Sequence, residues 1–254
     1  MESPLSSSFS ARLYNGCRKI FFPLIPPLCP LCQMPVSADE TLCPRCWKSL
    51  EFITDPTCHG CGAPLDYGTQ APLLCGLCRK DPFPFQHAKA ILKYTPASRP
   101  LVLKLKYADA THLIPLFAQW MIHRMQQDPL FTDGINAIIP VPLHWSRLLN
   151  RGFNQAALLT RALTHHFLLP HWPRILERTW ATPPQGSASK EKRKVTLAKA
   201  FRVSPSHKPL IQGKTFLLVD DVMASGATLR FCANTLLTEG AAAVKVLVLC
   251  RSLF

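Results

Sequence analysis

The stretch Thr215-Phe-Leu-Leu-Val-Asp220-Asp221-Val-Met-Ala-Ser225-Gly226-Ala-Thr228-Leu229 decides the fold. Its first five residues are apolar or β-branched, as a strand buried on both faces requires. Two adjacent carboxylates close that strand, small residues follow, and a helix is predicted over Thr228–Glu239, ended by Gly240. Strand, tight turn and helix form one half of a parallel α/β unit, whose ligand crevice lies outside the carboxyl ends of the strands. A helix start offers unpaired N–H groups and a positive dipole end, which suits a phosphate. Gly226 lets the backbone approach such an anion closely. Ser225 and Thr228 add hydroxyl donors. Asp220 and Asp221 can accept hydrogen bonds from vicinal sugar hydroxyls and help hold a divalent ion. The plain alternative is an acidic pair that caps the helix with no ligand. It leaves two carboxylates repelling each other with no cation nearby.

Upstream, Ala88–Tyr94 and Ile135–Val141 read as strands, and Ile175–Arg178 and Ala200–Val203 as short strands around a basic loop. Leu101–Tyr107 and Pro115–Met125 read as helical, and Asn154 is placed to cap a helix running to about Phe167. Val244–Cys250 is the last strand. Apolar strands separated by helices predict a mostly parallel sheet over residues 87–254.

Residues 29–80 have a different character: many prolines and little apolar periodicity. Eight of the eleven cysteines fall there in four C-x-x-C pairs, Cys29/Cys32, Cys43/Cys46, Cys58/Cys61 and Cys75/Cys78. Each pair can present two sulfurs to one ion, and two pairs complete a tetrahedron, so two structural Zn²⁺ sites are expected. Metal binding supplies the folding free energy that so small an apolar content cannot, on the order of 10 kcal/mol per site. C-x-x-C is also a redox motif, but no thioredoxin-like βαβ pattern surrounds any pair. Sequential pairing is favoured over a cross-brace. Cys232 and Cys250 lie on apolar elements and read as buried small hydrophobes. Residues 1–28 form a lead segment.

Apolar residues make up 48% of the 254, enough for a core. The net charge of +14 favours phosphates, nucleic acid or an acidic lipid surface as contacts. Met1–Arg18 is Ser-rich without an apolar h-region, and Ile20–Leu28 is interrupted by Pro23, Pro26 and Pro27. Neither a signal peptide nor a bilayer-spanning run is expected. Paired cysteines without a disulfide framework point to a reducing cytoplasm, with attachment to the inner face of the membrane only through partners.

The acidic strand and its loop resemble the phosphoribosyl pyrophosphate (PRPP) signature of type I phosphoribosyltransferases. The resemblance implies Asp220 and Asp221 on the ribose hydroxyls and Ala224, Ser225, Gly226, Ala227 and Thr228 around the 5′-phosphate. Family loops usually carry two hydroxyl residues before the glycine. Here Ala224 and Ser225 stand there, so one side-chain donor is lost and the backbone cradle remains. A second stretch, Ile139-Pro-Val-Pro142-Leu-His-Trp-Ser-Arg147-Leu-Leu-Asn-Arg151-Gly152-Phe153-Asn154-Gln155, is similar to the signature of the ComF/GntX family. A double zinc ribbon ahead of a phosphoribosyltransferase domain is also that family's layout. The resemblance implies a role in natural competence and the use of external DNA. In related transferases the loop at Pro140–Pro142 meets pyrophosphate, which Arg147 and Arg151 can neutralise. Alternatively both arginines sit on a solvated face, and Gln155 reads as surface.

Ser187–Arg202 holds Lys190, Lys192, Arg193, Lys194, Lys199 and Arg202 against the single acid Glu191. In related transferases a mobile loop here closes over PRPP. The run also suits a nucleic-acid backbone, and a solvated charge run is the bland reading. Lys104, Lys106 and Tyr107 form a smaller basic patch, phosphate contact or polar helix face. Two functions follow. One is a Mg²⁺-assisted transfer of 5-phosphoribosyl from PRPP to a nitrogen acceptor, for which no base pocket is legible. The other is a non-catalytic module of DNA uptake, contacting single-stranded DNA or a translocation helicase, with Trp47, Tyr67, Phe83 and Phe85 as a stacking platform or as small-module core.

Overall fold

A computed structural model of the chain describes residues 26–66, 73–107, 110–180 and 200–253. The basic run over 187–199 and Tyr67 lie outside them; Arg202 lies within. The chain divides into two compact units, between Ser49 and Leu50.

The first unit holds one cysteine knuckle, closed by a bridge between Leu28 and Pro35, and the short helix α1 (Pro44–Ser49) that carries Cys46. Cys29, Cys43 and Cys46 are its buried centre, with Leu31, Val36 and Leu42 packed around them. So little apolar surface makes the sulfurs themselves the core.

The second unit opens with a matching knuckle, bridged between Thr57 and Pro64, and the helix α2 (Gly76–Lys80). The α/β domain follows: β1 (His87–Lys93), α3 (Arg99–Tyr107), α4 (Ile114–Gln126), α5 (Pro129–Thr132), β2 (Ala137–Pro140), α6 (Trp145–Arg151), α7 (Gln155–Phe167), β3 (Leu176–Arg178), β4 (Phe201–Val203), β5 (Thr215–Met223), α8 (Ala227–Thr238) and β6 (Ala243–Arg251). Four strands form one sheet in the order β1-β6-β5-β2, and every pair in it is parallel. β3 and β4 pair antiparallel as a separate hairpin. β6, Ala-Val-Lys-Val-Leu-Val-Leu-Cys-Arg, is buried at all nine positions, as a central strand covered on both faces must be. α7 packs on β2 and β5, and α8 on β4, β5 and β6.

Two elements differ from expectation. β5 does not stop at Val219 but runs through both carboxylates to Met223, because β6 continues beside it and pairs Val248 with Asp220 and Arg251 with Met223. Successive strand residues point to opposite faces, so the two acids are separated by the pleat. α6 was not foreseen: none of its residues is buried, so it leaves no core-facing period to read.

The second knuckle is built into the sheet. Cys58, Cys61 and Cys78 share one apolar core with Ala88, Ala90, Val246 and Val248. The His59 carbonyl accepts from the Ala88 N–H at 2.8 Å. Gly62 lies so close to β1 that a Cβ would stand 3.1 Å from the Ala90 nitrogen.

Candidate phosphoribosyl site

The site begins where β5 leaves the sheet. Ala224 and Ser225 are exposed, and Gly226 is buried with φ 74°, the left-handed turn that starts α8. A side chain there meets three obstacles, the backbone angle, the Phe83 ring and the Met223 Cε, the last two each 2.6 Å from a Cβ. The Ser225 hydroxyl accepts from the Ala227 N–H at 3.4 Å, and Ala227 and Thr228 lie half-buried in the first turn. The start of a twelve-residue helix preceded by small exposed residues can receive an anion on its N–H groups.

Asp220 and Asp221 play unlike parts. Asp221 is 4% exposed and held on one oxygen, Oδ2, by two donors: the Gln155 amide at 2.8 Å and the Lys106 ammonium at 3.2 Å. Asp220 is half-buried, and its Oδ1 accepts the Asp221 N–H at 2.9 Å. Burial, then the Asp221 carboxylate beside it, pushes the Asp220 carboxyl up to about 7. Asp221 is thus a clamped acid, and Asp220 an acid poised to gain or lose a proton near neutrality.

The Arg-Gly-Phe-Asn-Gln element explains the clamp. Gly152, at φ 75°, caps α6, with its N–H donating to the Leu148 carbonyl at 2.8 Å. The Asn154 Oδ1 accepts from the Ala156 N–H at 3.0 Å and caps α7, while its Nδ2 donates to the Val141 carbonyl at 3.1 Å. That second bond ties the helix to the turn after β2. Gln155, the first residue of α7, then reaches Asp221. The surface reading of Gln155 is therefore corrected: it is 3% exposed, and its Oε1 is buried with no partner among the described residues. Lys106, read as either a phosphate contact or part of a polar helix face, points its ammonium at Asp221.

Arg147 and Arg151 sit one turn apart on α6. The Arg151 guanidinium lies over the Tyr107 ring, 5.1 Å from its centroid, and lines a cavity of about 490 Å³ with Lys106, Tyr107 and Asn150. Arg178, not singled out in the sequence, ends β3 and lies near Arg147 and Asp220; burial and then Arg147 lower its pKa, while Asp220 opposes that shift. A charged residue at the end of a short strand, Leu-Glu-Arg, was its only sequence signal. A second cavity, about 650 Å³, opens between Pro142, Leu143, Trp145 and the β3–β4 hairpin, with Arg178 and Arg202 in its wall. Phe83 and Phe85 stack on each other 4.8 Å apart; Phe85 is buried in the core, and Phe83 is half-buried against it. Trp47 is exposed in the first unit.

The cysteines group as Cys29, Cys32, Cys43, Cys46 and as Cys58, Cys61, Cys75, Cys78, with ligand atoms in each set within 4.8 Å of one another. This is the sequential pairing. Main-chain N–H groups point at sulfurs, Cys43 to the Cys29 Sγ at 3.5 Å and Cys75 to the Cys58 Sγ at 3.2 Å, a pattern that favours thiolate. Hydrogen bonding from Cys61 lowers the Cys58 thiol to about 4, while the same contact raises Cys61. Four thiols this close ionise together only around a cation. Both sets fit zinc, and a closed four-sulfur site leaves no open position for catalysis. Among the described residues no helix is long and apolar enough to cross a membrane.

Comparison with known proteins agrees with this architecture. Residues 21–80 match the double zinc ribbon domain and residues 176–253 the phosphoribosyl transferase domain. The DNA utilization protein YhgH of Escherichia coli K12 is 33% identical over 234 residues, covering 90% of this chain and 99% of that protein. Competence protein F of Haemophilus influenzae is 29% identical, over 85% of this chain and 92% of its own length. Competence protein ComFC of Bacillus subtilis is 25% identical, over 84% and 85%. Two four-cysteine sites ahead of a parallel phosphoribosyltransferase sheet, and a third of its residues shared with a relative along nine-tenths of its length, make the chain a member of the ComF/GntX family, to which these DNA-utilisation and competence proteins belong.

Proposed function

We propose that the chain binds PRPP, or the phosphoribosyl end of a nucleotide, and does so in the service of taking up or using external DNA. The observation that carries the ligand is the turn from Asp220 to Thr228. A half-buried carboxylate, an exposed pair of small residues and a left-handed glycine open directly onto a helix start. Ala224–Thr228 cradle the 5′-phosphate, Asp220 takes the ribose hydroxyls, and Asp221 holds the strand end in place through Gln155 and Lys106. Arg147 and Arg151 lie on the helix after the β2 turn, suited to the pyrophosphate end. Asp220 would help hold a Mg²⁺ ion that arrives with the ligand, and such an ion would neutralise pyrophosphate charge. The unmatched Gln155 Oε1 supports a hydrated or cationic neighbour there. The DNA role rests on what the relatives are called, DNA utilization and competence proteins. Single-stranded DNA and a translocation helicase are the partners proposed, at the basic surfaces of a chain of charge +14.

A second reading is a phosphoribosyltransferase. The cavity of about 650 Å³ between the β2 turn and the β3–β4 hairpin favours it, since it offers an acceptor a place beside Arg178. An acceptor nitrogen would bond to C1 of the ribose as the C1–O bond breaks. Pyrophosphate would leave with the electron pair, and the nitrogen's proton would pass to solvent.

Calorimetric titration of zinc-loaded protein with PRPP and Mg²⁺, beside Asp220→Ala, tests the ligand. Binding in the parent that is lost in the variant is expected. A correctly folded, zinc-replete parent that gives no heat and no thermal shift removes the reading. Pyrophosphate release on adding candidate bases separates the transferase from the binding module.

A further inference from the structure

We propose that the second four-cysteine site is a lock on the phosphate loop, and that Arg251 is the positioning residue through which it acts. This rests on reading Ala224–Thr228 as the phosphate loop. Arg251 ends β6 and is 5% exposed. Its Nε donates to the carbonyl of Cys61 at 3.1 Å. Its Nη1 donates to the carbonyls of Met223 at 3.0 Å and Ala224 at 2.6 Å, and to that of Ser252. One guanidinium therefore grips the main chain of a cysteine ligand and the main chain where the loop begins. A planar fork with five donors can do this; an ammonium cannot span both.

No carboxylate among the described residues pairs with Arg251; its acceptors are all carbonyl oxygens. A buried guanidinium needs a counter-charge. Zinc with four thiolates carries two net negative charges, and Arg251 is bonded to the peptide of one of those ligands.

A second clamp holds the far side of the loop. Asp81 caps α2, the helix that carries Cys78, through its N–H to the Leu77 carbonyl. Two residues on, Phe83 presses on Gly226. Arg230, on the first turn of α8, lies over the Phe83 ring at 4.6 Å and donates to the Pro82 carbonyl at 2.9 Å. Its guanidinium also pairs with the Asp81 carboxylate at 3.0 Å. The loop is thus gripped at its entry from Cys61 and at its exit from the segment after Cys78. One contact on the peptide of a cysteine ligand and one on the segment that follows the ligand-bearing helix make the loop's geometry depend on that site being filled.

The test uses full-length protein, native mass spectrometry to count zinc, and hydrogen exchange of residues 223–230. Arg251→Met and Phe83→Ala are expected to keep two zincs, yet to exchange in this loop about tenfold faster than the parent, with β1 and β6 unchanged. Arg251→Lys is expected to recover part of the protection. Cys43→Ser, in the other compact unit, is expected to lose one zinc and leave the loop protected. Saturating PRPP is expected to slow zinc release from one of the two sites, because coupling between sites is reciprocal. Parent-like exchange in both Arg251→Met and Phe83→Ala would overturn the proposal. So would faster exchange spread over the whole sheet, which marks plain destabilisation. If the loop responds as stated but PRPP binds neither parent nor variants, the ligand assignment fails and the lock stands.

Discussion

The amide of Gln155 donates to Oδ2 of Asp221 at 2.8 Å across 66 residues of sequence, and both side chains are buried. This bond joins the start of α7 to the acidic end of β5 and makes Asp221 a fixed part of the scaffold. Gln155→Leu keeps the volume but leaves a buried carboxylate with Lys106 alone. Loss of a buried bond to a charged acceptor costs roughly 1–3 kcal/mol. Chemical denaturation is expected to show that loss, with PRPP affinity falling as well. A variant as stable as the parent would mean that the clamp holds nothing.

Asp220 gives the site a pH dependence. Its folded carboxyl sits at about 7, against 3.8 for the ordinary group. The raised value means that the folded protein keeps a proton which the unfolded chain has already released between those values. The unfolded state binds fewer protons there, so stability falls as pH rises from about 4 to about 7. Ribose and Mg²⁺ both want the ionised form, so PRPP affinity is expected to rise over the upper part of the same range. Asp220→Asn is expected to flatten both slopes. Thermal midpoints and titrations at pH 5, 6, 7 and 8, each about one unit apart, read this out.

Gly226→Ala combines two costs. Alanine at φ 74° is strained by about 1 kcal/mol, and its Cβ meets both the Phe83 ring and the Met223 Cε at 2.6 Å. Phe83 is partly exposed and can yield, which displaces the segment after α2 rather than the loop alone. The double variant Gly226→Ala/Phe83→Ala is expected to be less damaged than the sum of the single changes, since the Phe83 clash is removed, leaving the backbone strain and the flexible tip of Met223. Strict additivity in denaturation midpoints would contradict the packing described.

How much of this was legible beforehand follows from the range of each interaction. β5, β6 and α8 were readable because apolar strands and a glycine turn are local signals. The cysteine pairing was readable because each knuckle is a short-range device with its own spacing. The extension of β5 through Asp220 and Asp221 was not, because the partner strand β6 supplies that hydrogen-bonding ladder and propensity alone ends the strand at the first acid. Gln155, Lys106 and Arg251 carried no local mark of their roles. Each acts on a residue far away in sequence, and polar side chains at element ends usually face water. Phe83 and Phe85 stood open between platform and core; the structure puts Phe85 in the core with Phe83 packed against it, under Arg230 of α8.

Asn154 makes two bonds that can be separated by substitution. Its Oδ1 caps α7, and its Nδ2 ties α7 to the Val141 carbonyl at the turn leading to Arg147. Asn154→Ser keeps a capping oxygen and loses the tie; Asn154→Ala loses both. The cap is worth about 1 kcal/mol, so the alanine variant is expected to unfold at lower denaturant than the serine variant by roughly that amount. PRPP affinity is expected to fall in both to a similar degree, because what the ligand senses is the position of the turn rather than the stability of the helix. If affinity instead tracks stability, with serine close to the parent, then the Val141 contact is not what sets the turn, and the cap alone explains why an asparagine stands there.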